Sequence, residues 1–325
     1  MERRRLGGSD IDVSRVILGC GNFGGIGSAP ELFGQGESRE EAAAIMDAAV
    51  GLGITTFDTA DAYGGGRSET FIGEWLRTKP PEIRERIVLS TKTFNPMEEG
   101  ADRGLRPERI RRQLESSLTR LGVERVDMYL THDQDPDTPI EDTLGALDEL
   151  VRAGKVGAIG ASNVDGVGLA EALETSARCG LARFECVQNS YSLLDRDAER
   201  DVLPLCAEQG PGFTPFSPLA GGWLTGKYRP GQLPPPGSRM TQRPEPYRHL
   251  ESPAIYRGLE RLDEHARARG VDTATLALAW LLAHPLVTAV VVGPRRPEHL
   301  EPPRRALDLR LSEEERHEIA GLFDP

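Results

Sequence analysis

The chain has 325 residues, enough to bury roughly three quarters of its unfolded surface without disulfide or metal support. Its 39 Lys and Arg against 51 Asp and Glu leave a net charge of −12, which argues against nucleic acid and anionic membrane as main partners but leaves room for a local basic pocket. Cys20, Cys179, Cys186 and Cys206 show neither a C-x-x-C pair nor metal-ligand spacing, and no basic-then-apolar segment opens the sequence, so a reduced, cytoplasmic protein is expected.

In chain order, residues 3–6 and 13–18 flank Gly7, Gly8, Ser9 and Asp10, which predicts a β-hairpin running into a first strand. A pattern then repeats: a helix ends near a glycine, a few residues pass, and an apolar β-prone run ends at a polar residue. The runs that follow it are 54–58, 126–132, 156–163, 184–188 and 213–217, and strands at 16–19, 87–92 and 289–293 bring the count to eight. Glycine just past a helix suits the left-handed cap conformation, as at Gly122, Gly180 and Gly210. Ser38 with Glu41 and Ser312 with Glu315 read as capping boxes, and Pro107 sits where a helix start tolerates proline. Strand and helix alternating eight times predict an α/β fold, a closed (β/α)8 TIM barrel forming one domain over 1–325. Strands buried on both faces account for the continuous apolar runs. The apolar stretch 274–292 resembles a membrane span, yet His284 and Pro285 divide it into a helix and a Val-rich strand.

One segment breaks the period. Between strands seven and eight the chain runs far longer than one unit requires, and 227–251 is rich in Pro, Gly and Arg. It reads as a long loop after strand seven, on the face where barrel enzymes keep their chemistry, and as a lid on the substrate side.

Polar residues at the C-terminal strand ends share that face. Strand two delivers Asp58 and, from the loop after it, Tyr63; strand three ends at Lys92 and strand four at His132. A phenol beside a protonated amine has its anion favoured, so Lys92 is expected to make Tyr63 a better proton donor, while Asp58 holds Lys92 charged. His132 can orient a carbonyl oxygen or share in proton delivery. This set suits carbonyl reduction, although each member alone also has an ordinary structural reading. Ser162 and Asn163 close strand five, Gln188 closes strand six, and Phe216, Ser217, Pro218 and Leu219 close strand seven. Two amides can bind a carboxamide and an aromatic face can stack on a ring. After strand eight, Gly293, Arg295 and Arg296 offer guanidinium groups to a phosphate.

Three lookalikes are set aside. Gly19, Gly21 and Gly24 fit G-x-G-x-x-G, but no helix follows directly. Asp133, Asp135 and Asp137 mimic the opening of a calcium loop, yet Thr138 and Leu144 stand where its glycine and closing glutamate belong, so no metal is expected. Cys179 and Cys186 read as small buried residues.

The blocks FDTADAYGGGRSE, STK, LTHDQDP, GASNV, VQNSYSLLDR, SPLAGGWLTGKY and GPRRPEHL resemble, in order, those of the aldo-keto reductase superfamily. The resemblance spans nearly the whole chain. It implies a (β/α)8 barrel using NADPH to reduce a small-molecule carbonyl, with Tyr63 as general acid and Asp58, Lys92 and His132 completing the tetrad. It further implies that Ser162, Asn163 and Gln188 hold the nicotinamide amide and that Phe216 stacks on its ring. Ser217 and Leu219 would meet the pyrophosphate and Arg295 the adenosine 2′-phosphate. The family often carries a glutamine and then Glu-Asn beyond the arginine, whereas this chain has His299, Pro302 and Pro303, which bears on the choice between NADPH and NADH. Two other readings remain: Lys92 as a Schiff-base nucleophile in an aldolase-like barrel, or a non-catalytic NADPH-binding sensor or partner subunit. Substrate choice would lie in loops 26–36, 95–106 and the one after Lys227. Trp223, Tyr228 and Tyr247 are either pocket walls or packing residues.

Overall fold

The computed structural model describes residues 1–323. An antiparallel hairpin, β1 (Arg3–Arg5) with β2 (Asp12–Ser14), opens the chain. Eight parallel strands follow: β3 (Val16–Gly19), β4 (Thr56–Asp58), β5 (Val88–Thr93), β6 (Val126–Thr131), β7 (Val156–Ser162), β8 (Phe184–Gln188), β9 (Gly212–Phe213) and β10 (Val290–Val292). Their order in the sheet is β10-β3-β4-β5-β6-β7-β8-β9. The ring closes between β9 and β10 through a Phe213–Val287 bridge, with Thr288 N–H donating to the Phe213 carbonyl at 2.8 Å and Val291 N–H to that of Pro215 at 2.9 Å. This is the predicted (β/α)8 barrel with its N-terminal hairpin. The seventh strand is shorter than the 213–217 run suggested, because Pro215 cannot donate to a ladder.

Parallel strands between two apolar layers must be buried on both faces, and β5 is buried at every position. Inside the ring, Ile17, Val88, Met128, Leu130, Cys186 and Val291 fill the barrel, and Leu6 and Val13 of the hairpin plug its N-terminal end. Outside it, the helices bury a larger cluster against the strands, including Leu18, Phe57, Leu89, Tyr129 and Ile159.

The helix boundaries follow their caps. Ser38 Oγ accepts from Glu41 N–H while Glu41 accepts from Ser38 N–H, starting the helix Arg39–Gly51; Ser312 and Glu315 repeat the arrangement before Glu313–Gly321. Pro107 opens Pro107–Leu121, which ends on Gly122 in the left-handed conformation. The apolar stretch divides as expected, into the fully buried helix Thr273–Leu282 and β10. Among the described residues no helix is long and apolar enough to cross a membrane.

The long interval after β9 holds more than a loop. It contains a helical turn, Arg239–Gln242, a 3-10 segment, Glu245–Leu250, and the helix Pro253–Ala268 ahead of Thr273–Leu282. Its first part is tied to the C-terminal end of the barrel, since Arg239 Nη2 donates to Asn22 Oδ1 at 2.9 Å and Arg295 Nη1 to the Gly237 carbonyl at 2.6 Å.

Candidate active site

Three of the four tetrad residues arrive from neighbouring strands. Asp58 ends β4, Lys92 lies in β5, and His132 follows β6, its N–H bonded to the Thr93 carbonyl at 2.9 Å. Tyr63 comes from the turn after β4. That turn needs glycine at Gly64, which has φ of 58° and lies so close to Gly24 and Gly25 that a side chain on it would meet backbone. Gly24, the last glycine of the pattern set aside as a dinucleotide fingerprint, and its neighbour Gly25 thus serve to seat the Tyr63 turn.

Lys92 Nζ donates to Asp58 Oδ2 at 2.6 Å and to the Thr59 carbonyl at 2.9 Å, and stands 3.5 Å from Tyr63 Oη. Tyr63 Oη in turn lies 3.4 Å from His132 Nε2, with the two rings edge to face. Lys92 and the Asp58 carboxylate are almost wholly buried, whereas Tyr63 keeps a partly exposed face. Burial pulls the Lys92 ammonium down, but the Asp58 carboxylate and the Tyr63 oxygen beside it outweigh burial, and its pKa rises above the usual lysine value. Burial together with the Lys92 charge pushes the His132 pKa well below its ordinary value, leaving a neutral imidazole whose Nδ1 has no partner among the described residues. The Tyr63 phenol corrects one expectation. Lys92 does favour its anion, but burial and the Asp58 charge win, and its pKa is raised. At neutral pH it is therefore a full phenol, able to give a proton.

The residues expected around a ring-and-amide ligand lie on the same rim. Asn163 has φ of 52° and donates from Nδ2 to the His132 carbonyl at 2.8 Å; Gln188 Nε2 donates to Asp58 Oδ1 at 3.0 Å. Each amide donates one N–H to the tetrad and keeps its carbonyl oxygen for a donor. Ser162 is buried beside Asn163, and Phe216 N–H bonds to the Asn189 carbonyl at 3.0 Å. Beyond it Ser217, Ala220, Gly221 and Gly222 all have positive φ, Leu219 standing between them. Left-handed backbone at non-glycine residues is a strained feature that clusters at ligand sites. Trp223 and Tyr228 pack on each other and are buried, so they are packing residues rather than pocket walls.

Arg295 follows Gly293 at the end of β10. Its Nε donates to Glu37 Oε1 at 2.7 Å and its Nη1 to Gln242 Oε1 at 2.9 Å, while its N–H bonds to His299 Nδ1 at 3.2 Å. Arg296 is exposed and reaches His299 Nε2 at 3.4 Å.

Sequence reasoning missed the partners of three buried groups here. Asp61, fully buried, accepts from Thr93 Oγ1 at 2.8 Å, and its other oxygen has no partner among the described residues. Burial, with Glu69 nearby, raises its carboxyl to about 7. Arg109, also fully buried, joins Thr93 Oγ1 at 2.7 Å to the Asn95 and Gly104 carbonyls, so the Asp61 turn and the 95–106 loop share one network. Asp61 was visible as a carboxylate in the motif, but nothing local marked Arg109 as its neighbour. Glu37 gave no signal at all, because its partner lies 258 residues on.

Comparison with known proteins agrees with this geometry. The model described as the Aldo/keto reductase family matches residues 15–324. An uncharacterized oxidoreductase, YrpG, of Bacillus subtilis strain 168 is 36% identical over 332 residues, covering 99% of this chain and 96% of its own. The versiconal hemiacetal acetate reductase of Aspergillus parasiticus is 31% identical, over 97% and 95% of the two chains. The NADH-specific methylglyoxal reductase of Escherichia coli K12 is 32% identical, over 96% and 95%.

Proposed function

The chain belongs to the aldo/keto reductase family, and from that premise we propose that it reduces an aldehyde or ketone to an alcohol with a reduced nicotinamide dinucleotide, Tyr63 delivering the proton. The observation that carries this reading is the Tyr63 hydroxyl between Lys92 Nζ at 3.5 Å and His132 Nε2 at 3.4 Å. When bound, the cofactor supplies a hydride to the carbonyl carbon. Tyr63 gives its phenolic proton to the carbonyl oxygen, so the product is the neutral alcohol. The phenolate left behind is stabilised by the Lys92 ammonium, which Asp58 keeps charged at 2.6 Å. His132, neutral and assigned with its proton on Nε2, donates to the same oxygen and orients it.

The rim fits an anionic dinucleotide. Arg239 and Arg295 lie close enough to Lys227 that, after burial, they are the charges that lower its pKa. Ser28 Oγ and Ser238 Oγ are buried hydroxyls with no partner among the described residues. Ser162 and the carbonyl oxygens of Asn163 and Gln188 would hold the carboxamide, with Phe216 against the ring. Ser217 and Leu219 would face the pyrophosphate, and Gly293, Arg295, Arg296 and His299 the adenosine end. Arg295 and Arg296 would hold the 2′-phosphate when the cofactor is NADPH.

An aldolase reading of Lys92 has the electrostatics against it, because a nucleophilic lysine needs a lowered pKa and this one is raised. Titration with NADPH and with NADH, followed by tryptophan fluorescence, tests the cofactor. Loss of the reduced nicotinamide signal with a panel of aldehydes and ketones tests the reaction. Binding of neither cofactor would overturn the proposal.

A further inference from the structure

Glu37 is an unusual residue to find between β3 and β10. Its carboxylate is 3% exposed, at a rim that otherwise carries Lys227, Arg239, Arg243, Arg295 and Arg296. It reached that place through the backbone: Glu37 N–H donates to the Asn22 carbonyl at 2.8 Å, and Gly24 N–H donates to the Glu37 carbonyl at 2.9 Å. The Asn22 side chain, directly beyond β3, accepts from Arg239 Nη2. Glu37 is therefore held rigidly in the wall rather than draped over it.

Its two oxygens differ. Oε1 accepts from Arg295 Nε at 2.7 Å, and Oε2 is buried with no partner among the described residues. Burial raises the Glu37 pKa above its ordinary value, and the Arg295 guanidinium at 2.7 Å opposes that rise by favouring the carboxylate. Arg295 is itself held by three bonds, Nε to Glu37 Oε1 and Nη1 to the Gly237 carbonyl and to Gln242 Oε1. An anion arriving at Arg295 meets a carboxylate already on it. A hydroxyl arriving there meets a buried acceptor in need of a donor. Carboxylate for a ribose 2′-hydroxyl and guanidinium for a 2′-phosphate is the general chemistry by which dinucleotide sites tell the two cofactors apart.

We propose that Glu37 is a cofactor-specificity residue: its free oxygen accepts from the adenosine ribose 2′-hydroxyl of NADH, and its charge opposes the 2′-phosphate of NADPH at Arg295. This rests on the assignment of Arg295 to the adenosine end of the dinucleotide. It reverses the simple reading of Arg295 and Arg296, under which two arginines favour NADPH. The like-charge contact acts on one cofactor alone, so it moves the ratio of affinities rather than both together.

The test titrates wild type, Glu37→Gln and Glu37→Asp with NADPH and with NADH, followed by tryptophan fluorescence. ADP and 2′,5′-ADP serve as competing fragments that report the adenosine end alone. Glu37→Gln is nearly isosteric, removes the charge and keeps a hydrogen-bonding head. The expected result is a shift of the affinity ratio toward NADPH by about tenfold or more, set by the cost of juxtaposing like charges. The same shift should appear in the fragments, while Glu37→Asp retains the wild-type sense. A shift of both cofactors by one common factor, or a ratio unchanged within about twofold, shows Glu37 to be a structural residue and overturns the inference while leaving the reductase reading intact. Binding of neither cofactor by wild type removes the reading and the inference together.

Discussion

Replacing Asp58 by Asn tests the electrostatic centre of the site with little change of shape. Lys92 Nζ has three neighbours, Asp58 Oδ2 at 2.6 Å, the Thr59 carbonyl at 2.9 Å and Tyr63 Oη at 3.5 Å, and only the first belongs to a carboxylate. Removing one partner of a buried pair costs about 3–5 kcal/mol, because the other charge stays behind in low dielectric. Lys92 can escape by losing its proton, and neutralising a lysine of ordinary pKa about 10.4 at pH 7 costs about 4.6 kcal/mol. The two routes agree, so the expected loss is about 3–5 kcal/mol in urea unfolding at pH 7. Its pH dependence has a definite sign. In wild type the Lys92 pKa is raised, so its stabilisation is full below the unfolded value and fades as pH rises through the folded one. In the variant, burial without a carboxylate depresses that pKa, and the penalty shrinks as pH approaches about 10. The gap between wild type and Asp58→Asn should therefore narrow from pH 7 to pH 10, and adding Lys92→Met should recover much of it at pH 7. A gap under about 1 kcal/mol at pH 7, or one independent of pH, would refute the account of the pair as the device that keeps Lys92 charged.

Tyr63→Phe removes the proton donor alone, so turnover should fall by about 10²–10⁴-fold while cofactor affinity in the fluorescence titration stays put; retained turnover contradicts the mechanism. Asp61 carries a folded pKa of about 7, above its unfolded value, so its contribution to stability is present in acid and lost as pH rises through 7. Asp61→Asn keeps a partner for Thr93 and should gain on wild type between pH 5 and pH 8 in urea midpoints, whereas a constant difference would mean that Asp61 is ionised throughout. Arg295→Ala should weaken NADPH binding by about tenfold or more beyond any loss for NADH, as expected for a charge-assisted phosphate contact. Equal losses would show that Arg295 does not meet the 2′-phosphate.

Much of this protein is written in short stretches of its sequence. Most barrel strands announce themselves as apolar, β-prone runs ending at a polar residue, because a strand buried on both faces favours apolar side chains. The Ser38–Glu41 and Ser312–Glu315 boxes close within one helical turn, so local spacing is enough to find them. Asp58, Tyr63, Lys92 and His132 were legible as strand-end residues once the barrel was counted, since the ring brings those ends together. The folded chain alone decided the rest. The β9–β10 seam runs through Pro215 and Thr288 rather than along a full-length seventh strand. The sense of the Tyr63 shift depends on how far burial and Asp58 outweigh Lys92, and desolvation has no signature in a motif. Arg109 beside Asp61 and Arg295 on Glu37 are pairings made across the barrel rim, between side chains that no periodicity connects. A sequence names the groups a site contains, but only packing determines which charges lose their water and which partner each one meets.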